Sequence, residues 1–288
     1  MPVALVTGCS SGIGLATALH FARRGYDVFA GVRNVPTATD LAAAIEKDRL
    51  PAKVLALDVD DTASVKRSVD EVLAKAGAID VLVNNAGMGG GGAIEEVPLD
   101  FAQAMFNTNY FGVIRMVQAA LPSMRKRRSG AIVNVSSIAG RLAVAGHGTY
   151  SAVKHALEAA SEALAQEVQG HGIRVAIVEP GVVVTPIFQK AKRFSDPAGP
   201  YAEHVRRLLL FYQAQMKMAS QPEDAARVIY EAVTTTEPRL RWLVGEDARL
   251  LITGRRRLSD EEFIAGSRPM SDTEYIAEMK QRFGFEWQ

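Results

Sequence analysis

Seven short apolar runs, at residues 2–6, 27–32, 53–57, 79–83, 130–135, 173–178 and 240–244, are separated by stretches with helical periodicity. Strand and helix signals that alternate in this way point to strands laid side by side in a parallel sheet, each crossover helix covering a face. The first run, Val3-Ala4-Leu5-Val6, is unbroken, as a strand buried on both faces should be. The expected fold class is α/β: a doubly wound, seven-stranded parallel sheet with helices on both faces. The longer helical patterns run from about 99 to 126 and from about 149 to 169. The 288 residues suffice for one such domain with a sizeable core, so a single domain over 1–288 is expected.

Two places in this pattern carry chemistry. Thr7-Gly8-Cys9-Ser10-Ser11-Gly12-Ile13-Gly14 follows the first strand and opens the helical stretch from Leu15 to Arg24. Glycines there let the chain turn tightly and bring backbone N–H groups to a pyrophosphate at a helix N-terminus. The second place is Tyr150 with Lys154, four residues apart and so on one helix face. A free phenol titrates near ~10 and is a poor base at neutral pH. A neighbouring ammonium favours the phenolate, so Lys154 is expected to lower the tyrosine pKa. Ser137 ends the run Ile132-Val133-Asn134-Val135-Ser136-Ser137, a strand end where open α/β sheets place reacting groups.

These motifs resemble the short-chain dehydrogenase/reductase family, which has a Rossmann fold, and within it the 17-beta-hydroxysteroid dehydrogenase and retinol dehydrogenase branch. The family's Thr-Gly-x-x-x-Gly-x-Gly falls on Thr7, Gly8, Gly12 and Gly14, and its Asn-Asn-Ala-Gly on Asn84-Asn85-Ala86-Gly87. The branch is suggested by the glycine loop, by Gly31-Val32-Arg33-Asn34 and by Arg239-Leu240-Arg241-Trp242. The resemblance implies a catalytic set of Ser137, Tyr150, Lys154 and Asn109, with Asn109 anchoring a water that links Lys154 to solvent. It implies that Tyr150 exchanges the proton, that Ser137 bonds the substrate oxygen, and that Lys154 also holds the nicotinamide ribose. Cofactor contacts are implied at Gly8, Ser10, Ser11, Gly12, Ile13 and Gly14. Further contacts are Asp58 and Val59 at the adenine, Asn85, Ala86 and Gly87, and Pro180, Gly181, Val183 and Thr185 at the nicotinamide. A homodimer or homotetramer built on the two long helices is implied as well.

The expected cofactor is NADP(H) rather than NAD. Enzymes of this type place a carboxylate after the second strand for the ribose 2′-hydroxyl, whereas this chain has Arg33 there and no acid. The planar guanidinium fork suits a 2′-phosphate, and Ser11 can add a hydroxyl. The substrate is expected to be a lipophilic, steroid- or retinoid-like alcohol or ketone, with smaller ketones or aldehydes as the alternative. Leu142, Val144, His147, Val182, Val183 and Phe188 would face it, beside Ser137 and Tyr150. The segment 187–218 is expected to be helical and carries many large apolar residues, either a substrate lid or packing against the domain or a partner subunit, and 245–288 reads as a C-terminal extension. The glycine-rich Met88 to Gly92 is either a flexible connector or a thin wall beside the nicotinamide.

Composition narrows the rest. A net charge of +1 gives no general basic character for nucleic acid, and Arg125 to Arg128 and Arg255 to Arg257 read as solvated helix ends. The single Cys9 excludes an intrachain disulfide and reads as a small packing residue. His147 and His155 flank the tyrosine and read as structural or pocket-lining. No metal cluster, leader or membrane span is visible, so a soluble, cytoplasmic enzyme is expected. A non-catalytic nucleotide sensor or a methyltransferase would have no need of Ser137, Tyr150, Lys154 and Asn109 together.

Overall fold

In the computed structural model, which describes residues 1–286, the seven apolar runs form one parallel sheet. The strands are β1 (Val3–Thr7), β2 (Asp27–Val32), β3 (Ala52–Ala56), β4 (Val81–Asn84), β6 (Gly130–Val135), β7 (Ile173–Pro180) and β9 (Arg241–Val244), in the order β3-β2-β1-β4-β6-β7-β9. Two further strands, β5 (Gly90–Gly92) and β8 (Lys192–Phe194), pair with each other outside it. The strand order reverses at β1 and β4, so the chain passes to opposite sides of the sheet and leaves a crevice at their carboxyl ends.

Successive residues of β1 divide between two cores. Ala4 and Val6 join one apolar cluster and Val3 and Leu5 the other, as the two-residue strand period requires. The first cluster is closed by α1 (Gly12–Arg23), α2 (Thr39–Asp48) and α9 (Pro222–Thr234). The second is closed by α3 (Thr62–Ala76), α5 (Gly112–Arg127) and α6 (Gly148–Val168). Cys9 is fully buried in the first, its thiol donating to the Val6 carbonyl at 3.2 Å, which fits the packing reading.

Three elements differ from the sequence reading. The helix expected over about 99–126 is α4 (Leu99–Phe106) and α5 joined by a π-helical turn over Asn107–Phe111. The glycine-rich stretch is no flexible connector: β5 pairs in parallel with β8. A Cβ at Gly92 would overlap the Phe194 carbonyl oxygen, so only glycine permits the approach. The segment 187–218 is not one helix but α7 (Ile187–Lys190), β8 and α8 (Ala202–Met216). Beyond β9, α10 (Glu246–Arg255), α11 (Asp260–Ala265) and α12 (Asp272–Phe283) form a third apolar cluster with α8. Arg127 ties the end of α5 to the sheet, bonding Asp80 at 2.8 Å and the Ile79 carbonyl at 2.6 Å. No helix among the described residues is long and apolar enough to cross a membrane.

Candidate active site

The glycine loop sits in the crevice above β1 and is clamped from β4. Gly8 and Gly12 have φ of +74° and +59°, left-handed conformations that glycine alone adopts freely. Thr7 Oγ1 accepts the backbone N–H groups of Asn85 and Ala86, each at 3.0 Å. The Asn85 amide returns the clamp, donating to the Thr7 carbonyl at 2.9 Å and to that of Gly8 at 3.3 Å. The Asn85 side chain thus shapes the loop itself.

This loop fits an anionic dinucleotide. Ser11, the N-cap of α1, makes no side-chain cap bond, and the first turn carries no acid. The first N–H groups and the positive end of the helix dipole are thereby left for a phosphate. Ser10, Ser11, Gly12 and Ile13 remain at least partly exposed around that end, while Gly14 is buried beneath it. Thr185 closes the loop from the other side, its methyl standing 3.0 Å from where a Gly12 Cβ would lie. Arg33 is exposed at the end of β2. Asp58 is half-buried and accepts the Asp60 N–H at 3.0 Å, and Val59 packs under Gly112.

Ser137, Tyr150 and Lys154 converge at the ends of β6 and α6. Ser137 Oγ accepts the Ala139 N–H at 3.2 Å, lies 3.4 Å from the Pro180 carbonyl, and shares a hydrogen bond with the Tyr150 hydroxyl. Lys154 Nζ is buried and donates to the Val135 carbonyl at 3.0 Å, 5.7 Å from the centre of the tyrosine ring. The electrostatics correct one expectation. Burial pushes the Tyr150 phenol up to about 12, and what opposes it is the Ser137 hydrogen bond rather than Lys154. The ammonium is itself drawn down to about 8 by burial, with Glu158 acting against the fall. Desolvation penalises both charged forms and outweighs their attraction here.

Asn109 lies in the π-turn and faces the glycine-rich segment. Its amide forms a closed pair with the Met88 backbone, accepting the N–H at 2.8 Å and donating to the carbonyl at 2.9 Å. Both polar ends of the side chain thus meet the Met88 backbone, and the amide holds the Gly87–Met88 wall in place.

An aromatic file adjoins the reacting phenol. His147 stacks on Tyr150 at 4.8 Å between ring centres, and the Tyr212 hydroxyl lies 3.3 Å from the His147 ring nitrogens. Phe188 meets Tyr212 edge-on at 5.8 Å. Burial lowers the imidazole to about 4, so His147 is neutral at physiological pH. His155 is structural, its Nδ1 sitting 2.8 Å from the Ser151 carbonyl one turn back. Leu142 and Val144 do not join this file; they pack in the third apolar cluster, where Val144 borders a separate cavity of about 230 Å³ behind Phe211. Val182 and Val183 are buried in the segment after Pro180-Gly181.

The sequence reading missed Asp247, and it missed that Tyr212 reaches His147. Asp247 Oδ2 accepts the Val182 N–H at 2.6 Å, and a Cβ on Gly181 would overlap its carboxylate. This buried acid therefore shapes the Pro180-Gly181-Val182 bend from the C-terminal extension. Burial raises its carboxyl from 3.8 to about 6. The folded protein thus holds this proton more tightly than the unfolded chain, and the stabilisation is complete below about pH 4 and is lost as pH rises through about 6. Asp247→Asn is expected to remove that slope, worth about 3 kcal/mol over the window. Thermal melts of both proteins between pH 4 and 7 check this; parallel curves would place an ionised Asp247 in the fold throughout.

A family model described as short chain dehydrogenase matches residues 2–196. A 3-ketodihydrosphingosine reductase of Bacteroides thetaiotaomicron is 36% identical over 252 residues, covering 86% of this chain and 90% of that protein. Retinol dehydrogenase 8 of Bos taurus is 36% identical over 249 residues, 82% of this chain and 79% of that one. A solved short-chain dehydrogenase from Streptomyces avermitilis superposes with a TM-score of 0.81 at 37% identity, covering 97% of this chain and 96% of its own. A metagenomic short-chain oxidoreductase solved in complex with NADP gives a TM-score of 0.67 at 28% identity, covering 84% and 96%.

Proposed function

Since the chain belongs to the short chain dehydrogenase family, we propose that it is an NADP(H)-dependent oxidoreductase that interconverts a hydroxyl and a carbonyl on a lipophilic alcohol or ketone. That it is an enzyme acting on CH–OH groups follows from the family; the cofactor, the substrate class and the residue roles are our reading. The observation that carries it is the convergence of Ser137, Tyr150 and Lys154 beside an uncapped, glycine-lined helix N-terminus. The whole chain is read as one catalytic unit, cytoplasmic and homo-oligomeric. Exposed Leu99 on α4 and Phe111 in the π-turn before α5 suit a subunit contact.

The glycine loop and the start of α1 would hold the pyrophosphate, Arg33 the 2′-phosphate, Asp58 and Val59 the adenine, and the Pro180–Thr185 segment the carboxamide. When bound, the nicotinamide supplies or receives the hydride. In the reductive direction Tyr150 donates its proton to the carbonyl oxygen. A phenol held near 12 is fully protonated at neutral pH and stands ready as that acid. Ser137 Oγ steadies the same oxygen as its charge grows, an interaction strongest in the transition state. Lys154 presents its ammonium beside the phenol, against the phenolate left after transfer, and would bind the ribose hydroxyls. Asn109 keeps the Gly87–Met88 wall in register.

Two features favour a lipophilic substrate. The file of His147, Tyr212 and Phe188 offers apolar faces with a single polar notch. Two relatives are named for 3-ketodihydrosphingosine and for retinol, both lipophilic molecules. For the cofactor, an exposed Arg33 with no acid at the end of β2 favours NADP, and a structural neighbour was solved with it. The test follows oxidation of NADPH and NADH at 340 nm over carbonyls from small aliphatics to steroids and retinal. Turnover of the bulky members with NADPH is expected. Arg33→Asp should cut the NADPH-to-NADH preference roughly 10- to 100-fold, the worth of a lost charge-assisted contact. A wild-type preference for NADH would sink the role of Arg33, and turnover of small polar carbonyls alone would sink the lipophilic substrate.

A further inference from the structure

Behind Lys154, on the side away from the phenol, lies a buried group of charges that the reaction as described does not use. Helix α6 carries Tyr150, Lys154 and Glu158 at four-residue intervals, so all three share one face. Glu158 is 4% exposed, an unfavourable place for a carboxylate without partners. One oxygen, Oε2, accepts from Arg241 Nε at 3.1 Å; the other is buried with no hydrogen bond among the described residues. The side chain is wedged against the turn that follows Ser137. A Cβ on Gly140 would lie 2.8 Å from Glu158 Cγ, 2.9 Å from Ser136 Oγ and 3.0 Å from the Lys154 carbonyl.

Charge comes to this spot from every neighbouring element. Glu179 on β7, one residue before Pro180, is 1% exposed and pairs with Arg141 at 3.1 Å and with Arg241 at 3.3 Å. Burial and the nearby Glu158 push its carboxyl up, and the two guanidiniums hold it down. Glu162, further along α6 and half in solvent, takes the remaining arm of Arg241 at 2.9 Å. Three carboxylates thus face two guanidiniums, which leaves one negative charge in the cluster. Lys154 is the cation next to it.

We propose that Glu158 is a positioning residue for the hydride-transfer site: fixed by Arg241, its carboxylate holds Lys154 in the ammonium form and so sets the alkaline end of the range over which the enzyme reduces carbonyls. The proposal rests on the reading of Lys154 given above. Its physical content is a balance of two effects. Lys154 has lost its water and keeps one carbonyl partner, which favours the neutral amine; a carboxylate one turn away favours the cation. Glu158 belongs to the same rigid face as the lysine, so the balance is built into the helix and does not depend on a flexible surface pair.

The experiment is a ¹³C NMR titration of lysine-labelled protein between pH 6 and 10, the Lys154 Cε resonance being assigned by its absence in Lys154→Met. It needs neither substrate nor cofactor. Glu158→Gln keeps the shape and the acceptor for Arg241 while removing the charge, and is expected to lower the Lys154 midpoint by about one pH unit. Glu162→Gln touches the same arginine from solvent and is expected to leave it in place. Glu158→Asp should restore most of the shift. If Glu158→Gln melts too low to titrate, Glu179→Gln removes the other buried charge and should move the resonance in the same direction. The alkaline limb of kcat for carbonyl reduction should fall together with the resonance. An unmoved resonance overturns the proposal, and a resonance that moves without the limb overturns its catalytic half. A moving resonance in a protein that turns over no carbonyl leaves the Glu158–Lys154 coupling standing and removes the oxidoreductase reading instead.

Discussion

Replacing Tyr150 with phenylalanine is expected to lower turnover about 10³-fold or more while leaving NADPH affinity within a few-fold. Removal of a positioned general acid typically forfeits 10²- to 10⁴-fold, and the other proton donors nearby are engaged elsewhere, Lys154 with the Val135 carbonyl and the Tyr212 hydroxyl with the His147 ring. The neighbouring imidazole of His147 is held neutral by burial and faces the ring of Tyr150, with Tyr212 at its nitrogens. The substitution should be structurally quiet. Phenylalanine preserves the stacking on His147 and the contact with Lys154, and Ser137 Oγ retains the Ala139 N–H and the Pro180 carbonyl. Steady-state rates at 340 nm, NADPH fluorescence titration and a thermal melt together decide the matter. A variant that unfolds, or that fails to bind NADPH, would show that the hydroxyl supports the fold or the cofactor instead of moving a proton.

The other large effect is expected at Gly14. In an ordinary helix interior, alanine in place of glycine stabilises by about 0.5–1 kcal/mol. At Gly14 the sign reverses, because the added methyl would overlap both the Gly8 carbonyl oxygen and Asn85 Nδ2. Neither can retreat cheaply: the Asn85 amide is bonded to the Thr7 and Gly8 carbonyls, and the Asn85 backbone to Thr7 Oγ1. Overpacking of this kind costs about 1–3 kcal/mol, and relief requires the glycine loop to move off the end of α1. Gly14→Ala should therefore lower the melting temperature by several degrees and weaken NADPH binding at least about 100-fold. Gly170→Ala is the matched control, since a Cβ there meets nothing within 4 Å. Equal binding by the two variants would mean that the loop is not the phosphate cradle.

The parts of this molecule that a reader of the sequence can foresee are those governed by short-range pattern. A strand buried on both faces has to be apolar along its length, so β1, β2 and β6 lie within a residue of their expected limits. The spacing of Tyr150 and Lys154 and the glycines of the loop are local in the same sense. What stayed hidden depends on partners far along the chain. Gly90–Gly92 becomes a strand only because Lys192–Phe194, about a hundred residues later, lies beside it. Asp247 matters because its carboxylate meets Val182 across 65 positions. The protonation of Tyr150 could not be judged from the lysine four residues on, because burial, a property of the whole fold, is the larger influence. That Asn109 closes on the Met88 backbone was hidden as well, because only the geometry of the π-turn brings its amide there.

Cys9 has a consequence of a different kind. It is the one thiol in the chain, with no exposed surface, and burial drives its ionisation far up the pH scale. Alkylating reagents attack the thiolate and need access to it. A molecule that reacts has therefore first parted the loop from β2, where the Cys9 N–H is bonded to the Gly31 carbonyl at 2.9 Å. Each chain can be marked once, at one place, and by opening alone. The protein thus carries its own stopwatch: the half-time of labelling under native conditions counts how often the nucleotide end of the sheet breathes.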